Sequence, residues 1–142
     1  MFMGKTVSLE FHDGWLPTFA ETCEQIDKLL GENKREFRWV QVKEKFGSAR
    51  FYFRLGKSKR VVIDVIDPQE KEGHALIKNA TRIGDAVASR IDAIVDEAEA
   101  KTQMICMLCG ADAQTRPFDG YYWTLCAAHA PPVKPINRPG EP

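Results

Sequence analysis

Long apolar runs are missing from this chain of 142 residues, no part of which reaches the ~18 consecutive apolar side chains that a membrane-crossing helix needs. Its first residues, MFMGKTVSLEF, include Glu10 and lack the apolar stretch of a secretory signal, so a cytoplasmic location is expected. Histidine is scarce, at three residues, and no G-x-x-x-x-G-K-[ST], G-x-G-x-x-G, H-E-x-x-H or G-x-S-x-G motif occurs. Around His12 and His74 no convergent set of nucleophile, base and oxyanion donor can be assembled, and enzymatic activity is not expected. An excess of one charge is lacking too. With 20 basic and 20 acidic side chains the net charge is zero, which taken alone argues against a dedicated binder of nucleic acid or acidic membrane.

What is present suits one domain, or one domain with a small appendage. Hydrophobic residues make up 44% and charged residues 28%, enough apolar material for one core, so wholesale disorder is excluded. The zero net charge hides a segregation: residues 34 to 60 hold ten bases against Glu36 and Glu44, a local charge of +8 between acidic flanks.

Trp15, Phe19, Cys23, Ile26 and Leu30 recur at spacings of four, four, three and four, which predicts an amphipathic helix over about 13–31. Asp13 is placed to cap it, Pro17 falls in its first turns and Gly31 supplies a left-handed stop. From Phe37 the period changes to two, and three β-rich runs, about 37–46, 49–55 and 60–66, are joined by turns at Gly47-Ser48 and Gly56 to Lys59. They predict an antiparallel meander. Ala49, Phe51, Phe53 and Leu55 share an apolar face, whereas Arg50, Tyr52 and Arg54 alternate onto the face expected to meet solvent. A second helix is expected over about 73–103, either continuous or broken near Gly84, with Asp85, Asp92, Asp96, Glu97 and Glu99 on its outer side. The fold class expected is therefore α+β: a three-stranded meander packed on two helices within residues 1–103. A small module over 104–130 follows, and then a tail, 131–142, with five prolines in twelve residues, expected to be disordered or dependent on a partner.

The strongest chemical signal lies in that module. Cys106-Met107-Leu108-Cys109 is followed after sixteen residues by Cys126-Ala127-Ala128-His129, so that C-x2-C and C-x2-H knuckles supply the four soft and borderline donors that tetrahedral zinc prefers. A disulfide is disfavoured because two-residue separation strains the loop, and a redox pair because the motif does not open a helix after a strand. Four protein ligands close the coordination sphere, which assigns the zinc a structural role and makes the module zinc-ribbon-like. Between the knuckles, Asp119-Gly120 marks a tight turn leading into an aromatic strand. Its Tyr121, Tyr122 and Trp123 are open to two readings, packing against the zinc loop and long helix or anchoring a partner.

Gly14-Trp15, Gln41 to Gly47 running into Arg50-Phe51-Tyr52, Cys106 to Gly110, and Thr124 to His129 together resemble a family of small phage and prophage proteins of unknown function. The likeness spans most of residues 11 to 130 and departs from the family pattern after Leu55 and in the proline-rich tail. It implies a zinc-binding protein in the cytoplasm of a bacterial host. The leading expectation is a non-catalytic protein that binds a host protein or nucleoprotein, as an anti-CRISPR-like inhibitor of an antiphage defence would. An alternative is a nucleic-acid-binding accessory protein, and a zinc-dependent enzyme comes third. The residues expected to meet the partner are Arg50, Tyr52, Arg54, Lys57, Lys59 and Arg60 on the basic face, with Tyr121, Tyr122 and Trp123. The competing reading of the basic face is a solvated surface whose arginines pair with Glu36, Glu44 or the acidic helix.

Overall fold

The computed structural model describes residues 7–56, 58–59, 63–65, 73–75 and 86–132. The chain is α+β, and among the described residues it has two α-helices, a mixed sheet and a Cys/His cluster near the C-terminal end. No helix among the described residues is long and apolar enough to cross a membrane.

After a short strand β1 (Leu9–Glu10), a 3-10 turn over Asp13–Trp15 leads directly into α1 (Leu16–Leu30). Pro17 sits in the first helical positions, where the missing N–H costs nothing, and Gly31 closes the helix at φ +56°. Strands β2 (Phe37–Lys45) and β3 (Ser48–Leu55) form the central antiparallel hairpin. Its connection is the pair Phe46 and Gly47, both at positive φ, as a two-residue hairpin turn requires. Phe37 faces Leu55 and Trp39 faces Phe53 until a bulge between Trp39 and Gln41 shifts the register, after which Val42 faces Phe51. The extra residue moves the inward positions from odd to even numbers. Without it Val42 would lie on the opposite side of the sheet from Trp39.

The remaining strands depart from the expected meander. β1 joins the sheet parallel to β2, an edge pairing two residues long that the hydrophobic pattern did not reveal. The strand beside β3 is β4 (Ser58–Lys59), paired with Arg54 and Leu55, and of the third strand expected over 60–66 only residues 63–65 are described. β5 (Ile63–Val65) belongs to a separate ladder with β6 (Gly73–Ala75), so residues 73–75 are extended where the second helix was expected to begin. His74 accordingly lies in a strand opposite Asp64. The helix itself, α2, is described over Ala86–Thr102; the expected break near Gly84 lies outside the described residues, as does the tail from residue 133.

Trp15, Phe19, Ile26 and Leu30 of the first helical stretch meet Phe37, Trp39, Val42, Phe51 and Phe53 of the sheet and Ile91 and Val95 of α2 in one core. Trp15, Ile26, Val42, Phe51, Ile91 and Val95 are fully buried there. α2 also covers the open edge of β3: the Ala49 amide donates to Thr102 Oγ1 at 2.9 Å and the Phe51 amide to Glu99 Oε1 at 2.7 Å. These bonds satisfy edge amides that would otherwise invite pairing with another chain, and they fix the point where α2 delivers the chain to the cysteine module.

Candidate metal centre

Thr102 ends α2, and a turn held by Met104 N donating to Lys101 O at 3.0 Å opens the first knuckle. There the Cys106 amide donates to Ala111 O at 2.6 Å, and the Gly110 amide donates to Cys106 O at 2.8 Å with Gly110 at φ +78°. A side chain at that φ would be strained, so glycine is what lets the chain double back after Cys109. β7 (Gln114–Phe118) and β8 (Tyr121–Leu125) follow as a hairpin across Asp119-Gly120, again both at positive φ, which is the tight turn expected from sequence. At the end of β8 the second knuckle closes on itself, with His129 N and Ala130 N both donating to Cys126 O, at 3.0 and 2.8 Å.

The four ligand atoms of Cys106, Cys109, Cys126 and His129 all lie within 4.8 Å of one another, and the set can hold a metal ion. Cys109 Sγ is 3.7 Å from Cys126 Sγ, and His129 Nδ1 is 3.5 Å from Cys106 Sγ and 3.2 Å from Cys126 Sγ. None of the three cysteines is joined in a disulfide. Backbone amides surround them. Burial pushes the Cys106 thiol up, but the amides of Cys126, Leu108 and Cys109 and the His129 ring outweigh it and bring the thiol down to about 6. Burial likewise opposes ionisation of Cys126, and the amides of His129 and Ala128 reverse it, leaving this thiol lowered. Cys109 goes the other way: the Ala111 amide lowers it, yet burial and the two neighbouring sulfurs together raise it. His129 is raised by its bonds to Cys106 and Cys126. The cage thus favours the thiolates of Cys106 and Cys126 before any cation arrives, whereas Cys109 and His129, both raised, must still give up their protons for all four donors to bind a metal.

The module is anchored to the body at two glycines. Gly14 N donates to Met107 O at 2.9 Å, Trp15 Nε1 donates to Ile105 O at 3.1 Å, and Met107, 1% exposed, inserts into the main core. A Cβ on Gly14 would stand 2.2 Å from Cys106 O and 2.6 Å from Met107 C, so only glycine permits this approach. On the other side Gly47 packs against the β7–β8 hairpin, where its added Cβ would meet Thr115 Cγ2 at 2.9 Å and Tyr122 C at 3.2 Å. Thr124, fully buried, donates to Gly47 O and shares a 2.6 Å hydrogen bond with Thr115 Oγ1. Neither glycine stood out in the sequence as a docking point, because a residue without a side chain leaves no hydrophobic pattern.

Of the expected partner-binding residues that are described, Arg50, Tyr52 and Arg54 lie on β3, Lys59 on β4 and Tyr121, Tyr122 and Trp123 on β8. Arg50 is only 5% exposed, and its Nη1 donates to Ser48 Oγ and to Ala49 O, so it does not stand on a solvent-facing surface as alternation suggested. Strand alternation assigns a side of the sheet, not whether that side is covered. Tyr52 and Arg54 are half-buried on the same side, with Lys43 Nζ 5.6 Å from the Tyr52 ring centre and Arg38 opposite Arg54 across the strands. Lys59 lies in β4, and Lys57 and Arg60 fall outside the described residues. Tyr121 and Trp123 are exposed at 69% and 37%, with Tyr122 half-buried between them. No protein-family model, curated protein or solved structure matches the chain.

Proposed function

We propose that the chain is a zinc-stabilised, non-catalytic accessory protein of a phage or prophage that binds a protein or nucleoprotein of its bacterial host, and that it inhibits an antiphage defence in the manner of an anti-CRISPR. The closed four-ligand set carries the non-catalytic part of this reading. Tetrahedral zinc, with bonds of about 2.3 Å to sulfur and about 2.0 Å to nitrogen, has edges of about 3.8 Å between two sulfurs and about 3.5 Å between sulfur and nitrogen. Three of the six separations among the donors, 3.7, 3.5 and 3.2 Å, lie near those edges, and all six are within 4.8 Å, which supports that ion. With three thiols and an imidazole filling the tetrahedron no position is left for water, so the ion joins the two knuckles and takes no part in chemistry. The phage context rests on the resemblance of the residues around Gly14-Trp15, Gln41 to Tyr52 and the two knuckles.

Metal analysis of protein purified without chelator tests the first half: about one zinc per chain is expected, and less than half an equivalent overturns it. Capture from host lysate tests the second. One stoichiometric host complex that withstands salt is the expected result. Retention on nucleic acid that needs no protein and falls steeply with salt favours instead the nucleic-acid-binding alternative.

A further inference from the structure

Between the turn at Phe46, the segment after β1 and the β7–β8 hairpin runs an open groove of about 770 Å³. Phe11, Phe46, Tyr121, Tyr122 and Trp123 line it, and it keeps rings of Phe46, Tyr121 and Trp123 at the surface, exposed at 37%, 69% and 37%. Its charged rim carries Glu10 and Glu44 against Lys45, whose Nζ lies 5.3 Å from the Phe46 ring centre. Aromatic rings lining one groove, with carboxylates on its rim, make a surface that suits a proline-rich segment carrying a basic residue. Pyrrolidine rings of an extended polyproline helix lie flat on aromatic faces, its unpaired carbonyls accept from tyrosine and tryptophan donors, and the acids pair with the base.

The chain carries such a segment itself. Beyond the described residues, 133–142 hold Pro135, Pro139 and Pro142, following Pro131 and Pro132, and their charges are Lys134 and Arg138 against Glu141 alone. The segment leaves directly from the second knuckle, which follows β8, the strand that supplies three of the groove's rings. Returning along β8 from Leu125 to Tyr121 needs about 13 Å, and the ten residues from Val133 onward span up to about 31 Å as a polyproline helix. We propose that the groove is a polyproline-binding site and that its occupant is this chain's own tail, docked in cis through Lys134 and Arg138 to the Glu10 and Glu44 rim. The proposal is independent of the host partner, since it concerns the isolated protein.

Proton NMR of the full-length, metal-loaded chain tests it. Contacts between proline ring protons and the Trp123 and Phe46 rings are expected, unchanged on dilution. They should vanish in Tyr121→Ala, a substitution at a surface ring, and in the double variant Lys134→Glu/Arg138→Glu, which leaves every described element untouched. Absence of such contacts in the unaltered chain overturns the proposal. Contacts that weaken on dilution overturn it as well, because the occupant is then a second copy, and contacts that survive both variants overturn docking through Tyr121 and through the pairing of Lys134 and Arg138 with the acidic rim.

Discussion

The two knuckles share a ligand spacing but not a surrounding. In the first, Cys106 and Met107 are 0% and 1% exposed, and the backbone of residues 105–107 is bonded to Gly14, Trp15 and Thr124. In the second, Cys126 is buried but residues 127–130 are exposed, and the backbone bonds of His129 and Ala130 return to Cys126 within the same knuckle. One half of the centre is therefore built into the body and the other hangs from the end of β8. A metal ion bridging them ties a loose loop to a fixed one, so its stabilising effect should concentrate on the C-terminal side.

Removing the metal breaks this comparison most severely. Chelation, or Cys109→Ser, should cost on the order of 5 kcal/mol, with hydrogen exchange rising first over residues 104–130 and most at the second knuckle. Equal loss of protection along the whole chain would mean that body and module unfold as one unit.

Gly14→Ala should come next. Its Cβ meets backbone atoms of Cys106 and Met107 at 2.2 to 2.6 Å, and these cannot rotate away as a side chain can. A loss of about 3 kcal/mol is expected, visible as a lower unfolding temperature even with metal bound. Gly47→Ala faces the tip of Thr115 at 2.9 Å and a φ of +77°, a softer clash with a strained backbone, and should cost about 2 kcal/mol. If Gly47→Ala proves the more damaging, the hairpin contact rather than the first knuckle is the principal anchor.

Much of this was legible beforehand for a physical reason that varies by element. The ligand set could be read directly because two-residue knuckle spacing is a local property of the chain, and Asp119-Gly120 because a tight hairpin turn selects those residues. α1 followed from the spacing of Trp15, Phe19, Ile26 and Leu30, all of which are buried. The bulge beside Val40 is not legible because a single extra residue leaves no mark in local composition, nor is the pairing of Ile63–Val65 with Gly73–Ala75, because partner choice in a sheet is not local. Burial of Arg50 was missed for the same reason: what covers a strand face is set by distant parts of the chain.

The smallest effect is spectroscopic and sharpens the contrast between knuckles. Gly14 and Trp15 hold the first knuckle, with its Leu108 and Cys109 amides, through contacts that need no cation, whereas the Cys126 amide that also faces Cys106 belongs to the second knuckle, so the ionisation of Cys106 reads whether both stay in place once the metal is gone. Burial opposes the Cys106 thiolate, yet those amides and His129 bring the thiol from an ordinary value of 9.0 to about 6. A thiol lowered in the folded chain stabilises the fold fully above its unfolded value, and that contribution fades as pH falls through about 6. The metal-free protein should therefore show a step of thiolate ultraviolet absorbance near pH 6, and the metal-loaded protein should release its ion more readily below that point as protons compete for the sulfurs. Cys106→Ser should abolish the low step, whereas Cys109→Ser should spare it, since Cys109 is raised rather than lowered. A low step that persists without Cys106 would assign it to Cys126, whose thiol is also lowered, and would make the exposed knuckle the better ordered of the two in the metal-free state.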